Sequence, residues 1–143
     1  MYLIVGGSSD IGYELSKKLI QHDDIIITYN TKKNLKKINS INKKINYLKL
    51  DLTKQKEIDL FIKKNQKLLK DIKFINLATA KADKLIINLN SKETENVFKI
   101  NVLSNIYLSK KILSLMIKQN YGRFIFFTSK RASRGDVGIS LYS

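Results

Sequence analysis

Val5-Gly6-Gly7-Ser8-Ser9-Asp10-Ile11-Gly12 sits between two runs of different periodicity. Before it, Tyr2-Leu3-Ile4-Val5 is apolar without a break. After it, Ile11, Leu15 and Leu19 recur at i, i+4 and i+8. That pattern is a strand, a glycine-rich turn and a helix. Gly6 has no Cβ, so the chain can turn tightly as the strand ends. Gly12, inside the first helical turn, permits close packing of helix on strand. The helix start offers unpaired N–H groups and a positive dipole end to a phosphate. Ser8 and Ser9 add hydroxyl donors. Two readings stay open on this stretch alone: a ligand-free tight turn, or a cradle for a dinucleotide pyrophosphate formed by Gly6, Gly7, Ser8, Ser9, Ile11 and Gly12.

Working outward, strands and helices alternate. Residues 25–29 are a second apolar run, as in a strand buried on both faces. A lysine-rich stretch around Leu35, Ile38 and Ile41 predicts a short helix. Residues 45–50 alternate as a strand, and Ile58, Phe61, Ile62, Leu68 and Leu69 mark the next helix. Residues 72–77 predict a fourth strand, and 78–90 a loop with a helical turn. Ser91 can cap a long helix whose apolar face carries Val97, Ile100, Leu108, Ile112 and Leu115. Tyr121-Gly122 ends it, and residues 124–127 predict a fifth strand. Strict alternation requires a parallel sheet with right-handed crossovers and helices on both faces: an α/β, doubly wound, three-layer α/β/α architecture in a single domain, 1–143.

The 143 residues include no cysteine and no proline, which excludes disulfides and thiolate metal sites. The one histidine, His22, falls in a polar turn, so neither a metal site nor a serine–histidine triad is expected. No apolar run approaches the roughly 18 residues a membrane helix needs. A soluble, cytoplasmic protein without a membrane partner is the expectation. The net charge of +15 could mark a nucleic-acid surface. Yet only Arg123, Arg131 and Arg134 are arginines, and the lysines are spread along every predicted helix without interleaved aromatics. Solvated lysine faces are the better account, and no nucleic-acid partner is expected.

In parallel sheets of this kind ligands bind beyond the carboxyl ends of the strands. Those ends are Gly6-Gly7-Ser8-Ser9, Thr28-Tyr29-Asn30, Asp51-Leu52, Asn76-Leu77-Ala78-Thr79 and Thr128-Ser129, all polar or small. No acidic residue lies between Asp24 and Asp51; Asn30, Lys32 and Lys33 follow the second strand instead. An acid there would accept from a ribose 2′-hydroxyl, so its absence favours a 2′-phosphate and NADP over NAD. Asp51 could accept from an adenine amino group or cap the helix beginning near Thr53. Asn101 lies on the apolar face of its helix, where an amide must be fully paired.

Several of these motifs resemble those of the short-chain dehydrogenases/reductases. The glycine turn is similar to that family's Thr-Gly-x-x-x-Gly-x-Gly, with Val5 for the threonine and Asp10 for the middle glycine. Asn76 and Ala78 match two positions of its Asn-Asn-Ala-Gly, and Asn101-Val102 fits its active-site asparagine. Gly122-Arg123-Phe124-Ile125-Phe126-Phe127-Thr128-Ser129 followed by Leu141-Tyr142-Ser143 resembles its catalytic strand and Tyr-Ser pair. Ser129 and Tyr142 are 13 residues apart (142 − 129), the family's spacing. Among family members the 3-oxoacyl-carrier-protein reductases look most similar.

The resemblance implies hydride transfer between NADP(H) and a carbonyl or alcohol, with a small-molecule carbonyl or acyl-thioester substrate. It assigns Tyr142 as general acid/base, Ser129 as hydrogen-bond partner of the substrate oxygen, and Asn101 as holder of a relay water. Asn30, Lys32, Asp51, Leu52, Asn76 and Ala78 join the glycine turn in the cofactor site. A phenol of pKa about 10 needs a nearby cation to work near neutrality. The family supplies a lysine four residues after the tyrosine, a position beyond Ser143. The last two strands of the family's 3-2-1-4-5-6-7 sheet also lie beyond it. The expectation is the N-terminal part of a longer, homo-oligomeric reductase, incomplete with its first five strands and with the fifth exposed at an edge. The alternative is a catalytically silent dinucleotide-binding remnant or sensor module. Nucleotide-sugar epimerases prefer glycine at every third turn position, which Ser9 breaks. Intact mass distinguishes the first two: the protein from its own source should be substantially heavier than the 16.5 kDa of these residues. A mass equal to that value would leave the silent module.

Overall fold

A computed structural model describes residues 1–30, 40 and 45–143. Lys32, Lys33 and the helix expected around Leu35, Ile38 and Ile41 lie outside the described residues. Strands β1 (Tyr2–Val5), β2 (Ile25–Tyr29), β3 (Asn46–Lys49), β4 (Lys73–Asn76) and β5 (Arg123–Phe126) form one sheet in the order β3-β2-β1-β4-β5. Every pairing is parallel, with Leu3 level with Ile26 on one side and Phe74 on the other. Helices α1 (Asp10–Leu19), α2 (Gln55–Asn65), α3 (Ser91–Phe98) and α4 (Ser104–Gln119) connect them, and a single turn, α5 (Arg131–Arg134), follows β5.

The two faces of the sheet follow from the period-2 alternation of its side chains. Leu3, Val5, Ile26 and Phe74 point to one face and pack with Ile58 and Phe61 of α2 and Leu108, Ile112 and Leu115 of α4. Ile4, Ile25, Ile27 and Ile75 point to the other and meet Tyr13, Leu15 and Leu19 of α1. Both faces are therefore covered, as the unbroken apolar strands required. The result is a Rossmann-like three-layer fold, incomplete as expected, with α2 and α4 on one side and α1 on the other.

Several local expectations shift. Ile11 does not join the core stripe of α1; it is 60% exposed, and the residues buried on that helix are Gly12 and Ser16. Helix α2 ends at Asn65, so Leu68 and Leu69 lie past it, Leu68 exposed and Leu69 buried. Asp51 does not cap α2. Lys54 occupies the cap position, and Asp51 instead binds the Thr53 N–H and hydroxyl in a local turn. The long helix starts one residue earlier than read: Asn90 caps it, in a reciprocal box with Glu93. It is interrupted by a π turn at Lys99–Leu103. Asn120, not Gly122, takes the left-handed conformation that ends it, at φ 51°. Strand β5 is at the edge as expected, with Ile125, Phe126 and Phe127 exposed.

At the end of the sheet opposite the glycine turn, Asp23 binds the Lys73 ammonium at 2.8 Å and the Met1 amino group at 2.9 Å. The Lys73 hydrogen bond, followed by that of the Met1 amine, lowers the Asp23 carboxyl from 3.8 to about 2. A depressed carboxyl pKa stabilises the fold above its unfolded value, and that stability is lost as pH falls from about 4 through about 2. Because all three groups are partly exposed, the effect is below about 2 kcal/mol. Urea titrations should show Asp23→Asn less stable than wild type at neutral pH and the two converging below about pH 2. A constant difference across that range would contradict this account.

Candidate active site

Two adjoining clefts open at the carboxyl ends of the strands. The first, about 320 Å³, is lined by Gly6, Ser8 and Ser9 from the turn, Asn30 after β2, Asp51 and Leu52 after β3, and Ala78 after β4. Its shape depends on missing side chains. Gly6 has φ +70°, and a Cβ there would come within 2.7 Å of the Ala78 nitrogen. A Cβ on Gly12 would overlap the Gly7 carbonyl. The turn is further stitched by the Gly6 N–H donating to Thr28 Oγ1 at 3.2 Å and by Ser9 Oγ accepting from the Gly12 N–H at 3.1 Å. Ser9 is thus the N-cap of α1, and the positive end of that helix faces the cleft. Gly7 and Gly12 lie buried beneath the lining: Gly7 leaves room for the Ile4 and Ile27 side chains, and Gly12 lets the helix backbone approach that of the turn. Asp10 is exposed on the first turn and does not line the cleft.

Asp51 supplies a carboxylate to this wall. Burial pushes its carboxyl up, but the Thr53 hydroxyl at 2.7 Å, the Thr53 N–H at 2.9 Å and the Lys54 charge together hold it below the usual value. It is therefore ionised, and committed to its own turn through one oxygen. The described lining at the end of β2 is Thr28, Tyr29 and Asn30, with no acid among them.

The second cleft, about 430 Å³, shares Leu77, Ala78 and Thr79 with the first. It brings together Asn101, Ser129 and Tyr142, with Ile11 and Asn76 on the same wall. Ile11, exposed and out of the core, is here a cleft residue. Ser129 Oγ accepts from the Arg131 N–H at 3.3 Å. The Tyr142 ring lies 5.3 Å from Lys81 Nζ. Asn101 is bonded at both ends to one residue: Oδ1 accepts from the Ala80 N–H at 2.8 Å and Nδ2 donates to the Ala80 carbonyl at 2.9 Å. Its side chain thus clamps the loop after β4, the backbone-satisfied arrangement that a half-buried amide demands. Asn76 Oδ1, at the end of β4, accepts from the N–H of Ala78, two residues downstream, at 3.0 Å.

The sequence alone does not single out Lys81 and Asn105, and Ile100, expected on the core face of its helix, lines the first cleft instead. Asn105 carried a readable signal, an amide one helical turn after Asn101. Lys81 carried none, because lysine is frequent throughout the chain. No helix among the described residues is long and apolar enough to cross a membrane.

The family model for short chain dehydrogenase matches residues 1–143. Two 3-oxoacyl-[acyl-carrier-protein] reductases named FabG are similar in sequence. That of Buchnera aphidicola subsp. Schizaphis graminum is 34% identical across 99% of this chain, and that of subsp. Acyrthosiphon pisum 35% identical across 98%. The chain spans 59% of the length of each. Among solved structures, an F189W actinorhodin polyketide ketoreductase with NADPH superposes with a TM-score of 0.86 over 99% of this chain and 57% of its own, at 17% identity, a likeness of fold. With the glycine cradle, the strand order and a match over every residue in hand, the chain belongs to the short chain dehydrogenase family of oxidoreductases.

Proposed function

We propose that residues 1–143 are the NAD(P)-binding part of a longer reductase domain that transfers hydride between NADP(H) and a carbonyl or alcohol. The observation that carries this reading is the continuity of the two clefts: the glycine cradle and Asp51 line one, and Ser129, Tyr142 and Asn101 converge on the other across the shared Ala78 wall. The residues present fit a dinucleotide. Gly6 and Gly12 let backbone segments approach so closely that any Cβ would force the turn apart, and the N-terminus of α1 faces the cleft that this turn borders. Gly6, Ser8 and Ser9 would hold the pyrophosphate, with Gly7 and Gly12 shaping the turn beneath them; Asp51 and Leu52 would serve the adenine, and Asn76, Ala78 and Ile11 the nicotinamide. Asn30, with Lys32 beyond it in sequence, leaves the ribose 2′-position without a carboxylate, which favours NADP over NAD. When bound, the dinucleotide supplies or accepts the hydride.

The chain's own groups handle the oxygen and its proton. Ser129 Oγ donates a hydrogen bond to the substrate oxygen, and the Tyr142 hydroxyl gives or takes the proton there. Asn101 acts by fixing Ala80 and the loop behind the reacting groups. The substrate class is a small carbonyl compound or acyl thioester, by analogy with the FabG reductases that the chain resembles. On this reading the full-length protein works in the cytoplasm as a homo-oligomer, without nucleic-acid or membrane partners.

Two measurements on the full-length protein test this. Gly12→Ala should weaken NADPH binding at least about tenfold in a fluorescence titration, because the added methyl displaces the turn backbone. Tyr142→Phe should lower kcat for NADPH-dependent carbonyl reduction by about 10²-fold or more, with NADPH binding unchanged. NADPH binding with no carbonyl reduction by the wild-type protein would favour the silent dinucleotide-binding module instead. Failure to prefer NADPH over NADH would overturn the cofactor assignment.

A further inference from the structure

Asn105 lies in the first turn of α4, and the reading above gives it no task. Its side chain is engaged at both ends. Oδ1 accepts from Asn76 Nδ2, and Nδ2 donates to the main-chain carbonyl of Asn101 at 2.7 Å. That carbonyl belongs to the π turn Lys99–Leu103, where the Ser104 N–H reaches back to the Lys99 carbonyl. In a π turn the backbone donors are offset by one residue from the α pattern. A side-chain amide here gives a carbonyl of the turn a donor.

The two partners of Asn105 both hold the same loop. Asn76 fixes the Ala78 N–H, and Asn101 fixes both backbone groups of Ala80. Residues 77–79 line both clefts, and Ala80 follows them directly in the same loop. One amide on the second cleft therefore links the end of β4 to the π turn, beside the segment that both clefts share. An asparagine has donors and acceptors enough for this double task, and an aliphatic side chain of the same size has none.

We infer that Asn105 is a positioning residue: by tying the Asn76 amide to the Asn101 carbonyl it fixes the loop that sets cofactor against the Ser129 and Tyr142 side chains. This rests on the reductase reading. In the full-length protein, Asn105→Leu should lower kcat about tenfold while the KM for NADPH stays within about twofold. Asn105→Asp gives a more specific readout. As a carboxylate it still accepts from Asn76 but sets an acceptor against the Asn101 carbonyl. Once protonated, its O–H donates to that carbonyl and restores the link. The kcat of Asn105→Asp relative to wild type should therefore rise as pH falls through the new carboxyl's titration. The titratable side chain on that cleft wall is Tyr142, with the Lys81 ammonium facing its ring. A purely structural role would leave the ratio flat.

Hydrogen exchange supplies an arm independent of activity. Asn105→Leu should speed amide exchange over residues 78–80 and 99–103 while leaving α2 unchanged. Wild-type kcat in Asn105→Leu, a pH-independent ratio in Asn105→Asp, or unchanged exchange at both segments would each overturn the inference. If the wild-type protein reduces no carbonyl, the reductase reading fails, and the exchange arm alone decides whether Asn105 holds the loop.

Discussion

Backbone contact between the ends of β1 and β4 governs the whole carboxyl edge of this sheet. These neighbouring strands send their chains off in opposite directions, β1 toward β2 and β4 toward β5. A crevice must open where they part, and its floor is as narrow as two main chains can make it. Gly6 meets Ala78 there with no room for a side chain. The start of α1, the Thr28 hydroxyl and the loop after β4 all take their positions from that approach.

The second layer of control is polar. Asn76 is buried and Asn101 and Asn105 are half-buried, in a place where an apolar core would be simpler to build. Buried amides destabilise unless every group finds a partner, and once satisfied they specify one geometry strongly. Here the bonds run from strand end to loop to π turn. The cost of burying them yields a loop held in one conformation at the point where the two clefts meet.

Much of this was readable in the chain. Unbroken apolar runs such as Ile25-Ile26-Ile27 could only belong to strands covered on both faces, and alternation with helices left a parallel sheet as the solution. The glycine turn and the polar strand ends located the crevice. What escaped was decided by tertiary context. Ile11 satisfies the helical apolar period yet faces a cleft, since Gly12 brings the helix too close to the turn for a bulky neighbour on that side. The π turn leaves no mark in composition, because it adds one residue to a turn without changing which residue types are favoured. Asn90 displaced Ser91 as the cap because Glu93 stands three residues after it, completing a box that Ser91 cannot form with Thr94. Lys81 became notable only through its distance to Tyr142.

The exposed edge of β5 and the large positive charge act on each other. Among the described residues β5 is an edge strand, and with Ile125 and Phe126 on it and Phe127 just after, it offers unpaired backbone and apolar surface to a further strand. A charge of +15 keeps copies apart at low ionic strength. Added salt shortens that repulsion to about 10 Å at 0.1 M, within reach of edge-to-edge approach. Taken by themselves, residues 1–143 should therefore associate more readily as salt rises.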